Sequence, residues 1–500
     1  MFDTTIHHAL NWLALLLILG VGGAIAAVAI LYVIDIRQSH SSIRRNYPVI
    51  GRFRYLFEHL GEFFRQYFFA MDREELPFNR AQRSWVYRAA KGLRTNIGFG
   101  STRNLLTPGE PHFLNSPFAL LDEETTDPPL LVFGPHCATP YATKSYVNIS
   151  GMSYGALSKP AVNALSRGAA LAGCWLNTGE GGLSPHHLAA DADIVFQIGT
   201  AKYGVRDAEG RLSDARLREL ASMAQVRMFE IKLSQGAKPG KGGILPGDKV
   251  TSEIAAIRGI PVGQASISPN RHLEINSSDD LLDMINHIRE QTGKPVGFKA
   301  VLGDTAWIEE LCLRILARGI ECAPDFITLD SAEGGTGASP QSLMDYVGLP
   351  LRESLPYLVD QLIKHGLRDR IRVIASGKQI TPSYVALSLA TGADAVTTAR
   401  GFMFALGCIQ ALQCHKNTCP TGVTTHEPRL QKGLDPANKA VRVANYHKQL
   451  MHDVEMIAHA CGVPHARELR RNHVRLVMQS GQSINLAELY PEPVRILSAQ

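Results

Sequence analysis

Apolar residues follow three rhythms along the chain, and each predicts a different element. From Trp12 to Ile34 run 23 residues without a charge, rich in Leu, Ile, Val, Ala and Gly. A helix of about 20 such residues is long enough to cross a bilayer. From Val49 to Ala70, aromatic residues recur among arginines (Phe53, Tyr55, Phe57, Phe63, Phe64, Tyr67, Phe68, Phe69), which predicts an amphipathic helix. From Tyr146 onward, short β-branched or apolar runs alternate with longer helical stretches. The runs are Tyr146–Ser150, Cys174–Asn177, Ile194–Ile198, Met228–Leu233, Val296–Val301, Phe326–Asp330, Arg372–Ala375 and Ala395–Thr398. Helices are predicted at Lys159–Ala172, Asp214–Met223, Ser278–Thr292, Trp307–Ala317, Leu355–His365 and Pro382–Thr391. Eight strand–helix units in about 260 residues predict an α/β fold, a (β/α)8 TIM barrel. A doubly wound sheet is the runner-up, but its Gly-x-Gly-x-x-Gly turn after an early strand is missing. The chain divides accordingly: an anchor over 1–36, a basic and aromatic juxtamembrane segment and arm over 37–144, the barrel over 145–430, and a helical extension over 431–500.

Charge sharpens the first two elements. The 51 Lys and Arg against 46 Asp and Glu give a net +5. Between Arg37 and Arg103, 13 basic residues face 5 acidic ones, so that span carries +8 and the rest of the chain −3. One segment owns the whole excess, and nucleic-acid binding drops out as a reading. The apolar run exceeds the roughly 7–15 residues of a signal-peptide core, and no Lys or Arg precedes it. Positive charge lies only after it, which predicts a single-pass anchor with the N-terminus outside and residues 36–500 in the cytoplasm. The aromatic segment behind the anchor either lies on anionic headgroups or packs on the catalytic domain. The 8 Cys are too sparse for a disulfide framework in a reducing compartment.

Barrel enzymes assemble their sites from loops at the C-terminal ends of the strands, and here those loops are glycine-rich. They begin Gly151-Met-Ser-Tyr-Gly-Ala-Leu-Ser158, Asn177-Thr-Gly-Glu-Gly-Gly182, Ser234-Gln-Gly-Ala-Lys-Pro-Gly240 and Ser331-Ala-Glu-Gly-Gly-Thr-Gly-Ala-Ser-Pro340, then Ser376-Gly-Lys378 and Arg400-Gly401. The last two occupy the strand-seven and strand-eight ends, where many barrels hold a phosphate. Ser376, Gly377, Lys378, Arg400 and Gly401 suit a phosphate-bearing cofactor, or simply two tight turns. Lys299, inside an apolar strand, needs an anionic partner: the edge of a reduced flavin, or Glu180 or Asp330. Lys232 on strand four is a similar case. Cys408, Cys414 and Cys419 form C-x5-C-x4-C followed by Pro420. Three such thiolates suit an iron–sulfur cluster or a soft metal, with His415 as a possible fourth ligand; three scattered buried thiols are the alternative.

Together these segments resemble the synthase domain of glutamate synthase. The matching pieces are Met152-Ser-Tyr-Gly-Ala-Leu-Ser158, Asn177-Thr-Gly-Glu-Gly-Gly182, Gln235-Gly-Ala-Lys-Pro-Gly240, Leu245-Pro-Gly247, Gly334-Gly-Thr-Gly-Ala-Ser-Pro340 and the cysteine stretch through Cys419-Pro-Thr-Gly-Val423. The anchor and basic segment resemble those of short, stand-alone bacterial members, which implies the bacterial inner (cell) membrane. The resemblance implies FMN, a three-iron–four-sulfur cluster on the three cysteines, and reductive amination of 2-oxoglutarate by ammonia through 2-iminoglutarate. It implies Lys238, Glu180 and Gln235 as catalytic residues. Met152, Ser153, Gly155, Lys299, Gly335, Thr336 and Gly337 would line flavin and substrate. The electron donor is open between a ferredoxin, a reductase subunit and a membrane carrier. Two features depart from the large enzyme. No glutaminase domain fits before the barrel, so ammonia would be free or come from a partner. The family's Gly-Gly-Gln reads Gly242-Gly-Ile244 here, which admits an alkylamine and an N-alkylglutamate product. Competing readings are an FMN or phosphate barrel of other chemistry and a non-catalytic membrane scaffold.

Overall fold

Eight parallel strands close on themselves in the computed structural model, which describes residues 2–495. They are β1 (Val147–Ile149), β2 (Leu176–Asn177), β3 (Ile194–Ile198), β4 (Val226–Lys232), β5 (Val296–Val301), β6 (Phe326–Asp330), β7 (Arg372–Ser376) and β8 (Ala395–Thr398). Sequence neighbours pair throughout, and β8 closes on β1 with Val396 opposite Val147 and Thr398 opposite Ile149. The (β/α)8 expectation holds. Strand β4 begins at Val226, two residues before the apolar run, because Arg227 turns outward to Asp193 at 2.7 Å and interrupts the apolar pattern without interrupting the strand. The helix before β7 spans Leu351–Lys364, a turn earlier than the pattern suggested, and carries Pro356 in its interior. Burial of Leu351, Ser354, Leu355 and Leu358 against the barrel fixes that extra turn.

The barrel axis is not wholly apolar. Glu230 on β4 is buried, and its carboxylate accepts from Asn177 (2.8 Å), Gln197 (2.7 Å) and Thr328 (2.6 Å). A buried carboxylate satisfied by three donors from β2, β3 and β6 avoids the penalty of unpaired polar groups and ties those strands together. At the N-terminal end, Asp325 accepts from the guanidinium groups of Arg289 and Arg370, and Asp394 forms ion pairs with Arg368 and Arg372.

The helix Pro436–Ala460 covers one flank. It starts at Asp435, whose carboxylate caps Ala437 N–H at 2.9 Å, with Pro436 in the first turn. It lies tightly against Lys159–Ala172: a Cβ on Gly168 would fall 2.4 Å from Val443 Cγ1. Beyond it, Val474–Val477 pairs antiparallel with Pro111–Phe113, tying the chain end to the arm before the barrel.

Residues up to Ala81 form a separate compact unit from those that begin at Gln82. Its first helix is α1 (Phe2–Arg37), of which Thr5–Arg37 is long and apolar enough to cross a membrane, with none of that apolar surface buried. After a short helix at Ser42–Asn46, the predicted Val49–Ala70 element appears as α2 (Ile50–Phe64), continued by a wider-wound turn at Arg65–Phe69.

Candidate active site

The loops after β2, β4 and β6 meet over the C-terminal mouth of the barrel. Glu180, from the β2 loop, places its carboxylate 3.0 Å from Lys232 Nζ and 3.7 Å from Lys238 Nζ. Lys232 ends β4 and also donates to the side-chain oxygen of Gln235. Burial would raise the Glu180 carboxyl, but the two ammonium groups hold it down at about 2. Lys232 is pulled the other way: burial lowers it, Glu180 only partly compensates, and it settles at about 8.

Glycine is required where these loops touch. A Cβ on Gly236 would lie 2.0 Å from the Ser331 carbonyl, and one on Gly243 would lie 2.5 Å from Glu180 Oε1. The β4 and β6 loops are then pinned together: Gly236 N–H donates to Asp330 at 3.1 Å, Gln235 Nε2 reaches Gly335 O at 3.5 Å, and Ser339 Oγ donates to Ala237 O. Lys299 lies beside this junction with its partner, Asp330, at 3.2 Å. Burial works against its charge, but Asp330 and Glu230 more than offset it, and the ammonium ends above its ordinary value.

The β1 loop folds under the same mouth. Met152 is buried, and Ser153 lies under the β2 loop, its N–H 2.5 Å from where a Gly179 Cβ would sit. Gly155 (φ 108°) offers its carbonyl to His426 Nε2 at 2.8 Å. At the β6–β8 ends, Arg400 Nη2 donates to Thr336 O at 2.7 Å, and Gly335 leaves room for that guanidinium. Gly337 faces open space. Gly377 (φ 109°) packs on Ser331 beside the buried Ser376, and Lys378 Nζ reaches Glu333 at 3.5 Å. Gly401 faces the Tyr446 hydroxyl, where a Cβ would fall at 2.2 Å, and its N–H donates to Thr398 Oγ1 at 3.3 Å.

One residue of the mouth carried no sequence signal strong enough to single it out. Arg258 ends the helix Ser252–Arg258, where an arginine ordinarily reads as a favourable charge on the last turn. It is instead buried and close enough to Glu180 to feel its charge, donates to Tyr154 O at 3.2 Å and Ser266 Oγ at 3.1 Å, and leaves its Nε without a partner. Asp330, one of the two acids the sequence offered as a partner of Lys299, is the one that pairs with it, and it also accepts from Gly236 N–H.

Cys408, Cys414 and Cys419 share one loop, yet among the described residues no three His, Cys, Asp or Glu side chains converge as a metal-ligand set. The loop backbone is unusual. Gln410, Leu412 and Asn417 all have positive φ (60°, 55° and 57°), and Gln410 N–H donates to Cys408 Sγ at 3.5 Å. Lys249 is buried against it, donating to Cys414 O and Thr424 O at 2.6 Å each.

Lys232 gives a pH test. Its ammonium holds Glu180 and Gln235, and a lysine lowered to about 8 surrenders that proton as the pH rises through 8. Activity carried by this mouth should therefore fall on the alkaline side near pH 8. Lys232→Arg, which cannot lose its charge in this range, should move that limb up by a unit or more even if it lowers the maximum. A limb that stays in place would remove Lys232 from the ionisation.

A family model described as the conserved region in glutamate synthase matches residues 110–464. The chain is 41% identical over 504 residues to the glutamate synthase large subunit-like protein YerD of Bacillus subtilis (strain 168), covering 93% of this chain and 95% of that one. It is 37% identical to the archaeal glutamate synthase [NADPH] of Methanocaldococcus jannaschii over 347 residues, 69% of this chain and 63% of that protein. A glutamate synthase large subunit-like protein of Rhizobium meliloti (strain 1021) is 31% identical over 410 residues, 76% of this chain and 87% of that one. With the family model spanning well over half its length and relatives matching on this scale, the chain belongs to the glutamate synthase-like family.

Proposed function

We propose that the chain is an FMN-dependent oxidoreductase that converts 2-oxoglutarate to L-glutamate through 2-iminoglutarate, using free or partner-supplied ammonia. One observation carries the reading. Lys232, Lys238 and Arg258 set three cations around the single carboxylate Glu180, a surplus of two positive charges that complements a dicarboxylate dianion. Arg258, with an unpartnered Nε, and Lys238 are suited to its two carboxylates. Gln235, oriented by Lys232, is placed to hydrogen-bond the carbonyl or imine. Held at about 2, Glu180 is too weak a base to shuttle protons near neutrality; it anchors the lysines and attracts an ammonium or iminium cation. Lys232, at about 8, is matched to giving up a proton as the carbinolamine loses water.

The residues at the β5–β8 ends fit FMN. Arg400 and Lys378 supply charge where a phosphate would lie, Lys299 brings a buried ammonium to the flavin edge, and Gly337 opens onto space. Met152, Ser153, Gly155, Gly335, Thr336, Ser376, Gly377 and Gly401 complete the proposed cradle. When bound, FMN would supply the hydride for imine reduction. The three-cysteine loop offers an iron–sulfur cluster three soft donors and one amide directed at Cys408 Sγ, and binding would draw together thiols that do not converge without it. A three-iron–four-sulfur cluster held by Cys408, Cys414 and Cys419 would relay electrons from a ferredoxin or a reductase subunit. The proposal also takes α1 as a single-pass anchor in the cell membrane with the barrel in the cytoplasm, and keeps the division at 1–36, 37–144, 145–430 and 431–500. A second reading follows from Ile244, which stands beside Gly243 at Glu180 and is 39% exposed. An apolar residue there favours an alkylamine as co-substrate and an N-alkylglutamate as product.

The test is single turnover in detergent. Full-length protein reduced with dithionite and given 2-oxoglutarate and 15N-ammonium should yield 15N-glutamate, and its oxidised spectrum should show flavin bands over a broad iron–sulfur shoulder. Methylamine in place of ammonium separates the two readings. Flavin-free protein, or reduced flavoprotein that aminates nothing, would overturn the proposal.

A further inference from the structure

We propose that residues 37–69 form a second membrane contact, an arginine-rich elbow followed by a helix that lies in an anionic headgroup surface. The proposal rests on α1 being a membrane anchor. The first observation is a lock at the end of α1. Asp35 has no exposed surface, and its carboxylate accepts from Arg52 Nε and Nη2 at 2.8 Å each and from Val49 N–H at 3.0 Å. Gln38 clasps the turn, donating to Asp35 O at 3.0 Å and Ser41 O at 2.8 Å, and Ser41 Oγ meets Tyr55 OH at 2.7 Å. A Cβ on Gly51 would lie 2.9 Å from Ile43 O, so α2 starts in contact with the turn itself. The chain after the anchor does not trail away; its direction is fixed where it leaves α1.

The second observation is the face this lock orients. Phe53, Leu56, Phe57, Phe63, Phe64, Tyr67 and Phe68 recur at helical spacing and are between 40% and 73% exposed. Arg54, Glu58, Glu62 and Arg65 alternate with them on the opposite side. The third is charge. No acidic residue lies between Ile36 and Phe57, and with Arg52 neutralised by Asp35, Arg37, Arg44, Arg45 and Arg54 stand as an uncompensated cluster of four at the elbow. An aromatic stripe belongs at the depth of the headgroups, and arginines belong at anionic phosphates. The occupant is the bilayer because the stripe is continuous with a helix that already enters it.

The test uses the full chain in nanodiscs of phosphatidylcholine with or without phosphatidylglycerol, carrying a benzophenone side chain at Ile25, Phe57 or Glu58. Ile25 reports the anchor alone, and Phe57 against Glu58 reports the interfacial face. The expected result is lipid adducts at Ile25 and Phe57, few at Glu58, and enrichment of phosphatidylglycerol among the Phe57 adducts. Arg44→Gln with Arg45→Gln should lower that enrichment roughly thirtyfold, since each arginine near an anionic surface contributes about 1 kcal/mol. Asp35→Asn should shrink the contrast between Phe57 and Glu58 by releasing the elbow. Lipid adducts at Ile25 with protein adducts at Phe57 would overturn the interfacial helix while leaving the anchor. Loss of adducts at Ile25 would overturn the anchor, and an unchanged contrast in Asp35→Asn would overturn the role of the lock.

Discussion

Glu180→Gln is expected to lower kcat/KM about a thousandfold, roughly 4 kcal/mol, while the barrel stays folded. The substitution preserves shape and removes one charge from the centre of the mouth. Lys232 and Lys238 would then be two buried ammonium groups with no anion between them. Glu180 is what keeps Lys232 as high as about 8, so without it that lysine should be neutral near pH 7 and release its hold on Gln235. The alkaline limb should accordingly move to lower pH. The stability effect has a definite sign. The folded carboxyl sits at about 2 against an ordinary 4.5, so its contribution is complete above that ordinary value and is lost as the pH falls toward 2. The difference in unfolding midpoint between wild type and variant should therefore be present at neutral pH and close in acid. Glu180→Asp, which keeps the charge on a shorter arm, should retain more activity than Glu180→Gln. Equal activity of wild type and Glu180→Gln would mean that the cluster is structural.

Lys238 and Glu180 were legible because they stand in short glycine-rich motifs, and glycine records backbone contact directly: Gly236 and Gly243 are small because Ser331 and Glu180 press on them. The barrel was legible for a related reason. Parallel strands covered on both faces are written as continuous apolar runs, and two starts were misjudged by two residues: β4, where the outward Arg227 breaks the run, and β2, which begins at Leu176 inside the run from Cys174. Arg258 was not legible. Its neighbours in space are Tyr154 and Ser266, brought to it by loops 104 residues upstream and 8 downstream, and no local pattern encodes that meeting. Asp330 is an intermediate case: the apolar strand around Lys299 called for an anion and offered Asp330 beside Glu180, and the pairing of β5 with β6 chooses between them. Gly401 shows the opposite case. Its position at a strand end suggested a place for a ligand, while the tight approach the structure records is to Tyr446 from the C-terminal helix, 45 residues later.

The opposite end of the barrel should respond in the opposite way: Asp325→Ala is expected to lose about 3–5 kcal/mol of stability with little change in turnover per folded molecule. Asp325 precedes β6 at the N-terminal end, the side of such barrels that serves stability and not chemistry. Its side chain has no exposed surface and accepts from Arg289 Nε at 3.0 Å, Arg370 Nη1 at 2.9 Å and Val296 N–H at 2.9 Å. Those donors come from the helix before β5, the turn into β7 and the first residue of β5, so one carboxylate holds three successive units in register. Cys137 lies against the same oxygen at 3.6 Å, and burial followed by the charge of Asp325 pushes its thiol up to about 12. Alanine leaves Arg370 and Arg289 buried without their anion and opens a gap that the rigid strand ends cannot close. Asp325→Asn keeps the shape and an acceptor and should lose less. Urea unfolding followed by circular dichroism gives the midpoints, and 15N-glutamate formed per bound flavin gives turnover on the folded fraction. A midpoint unmoved by Asp325→Ala would show that the three units are held by strand pairing alone. Turnover per flavin falling with stability would show that the two ends of the barrel are coupled.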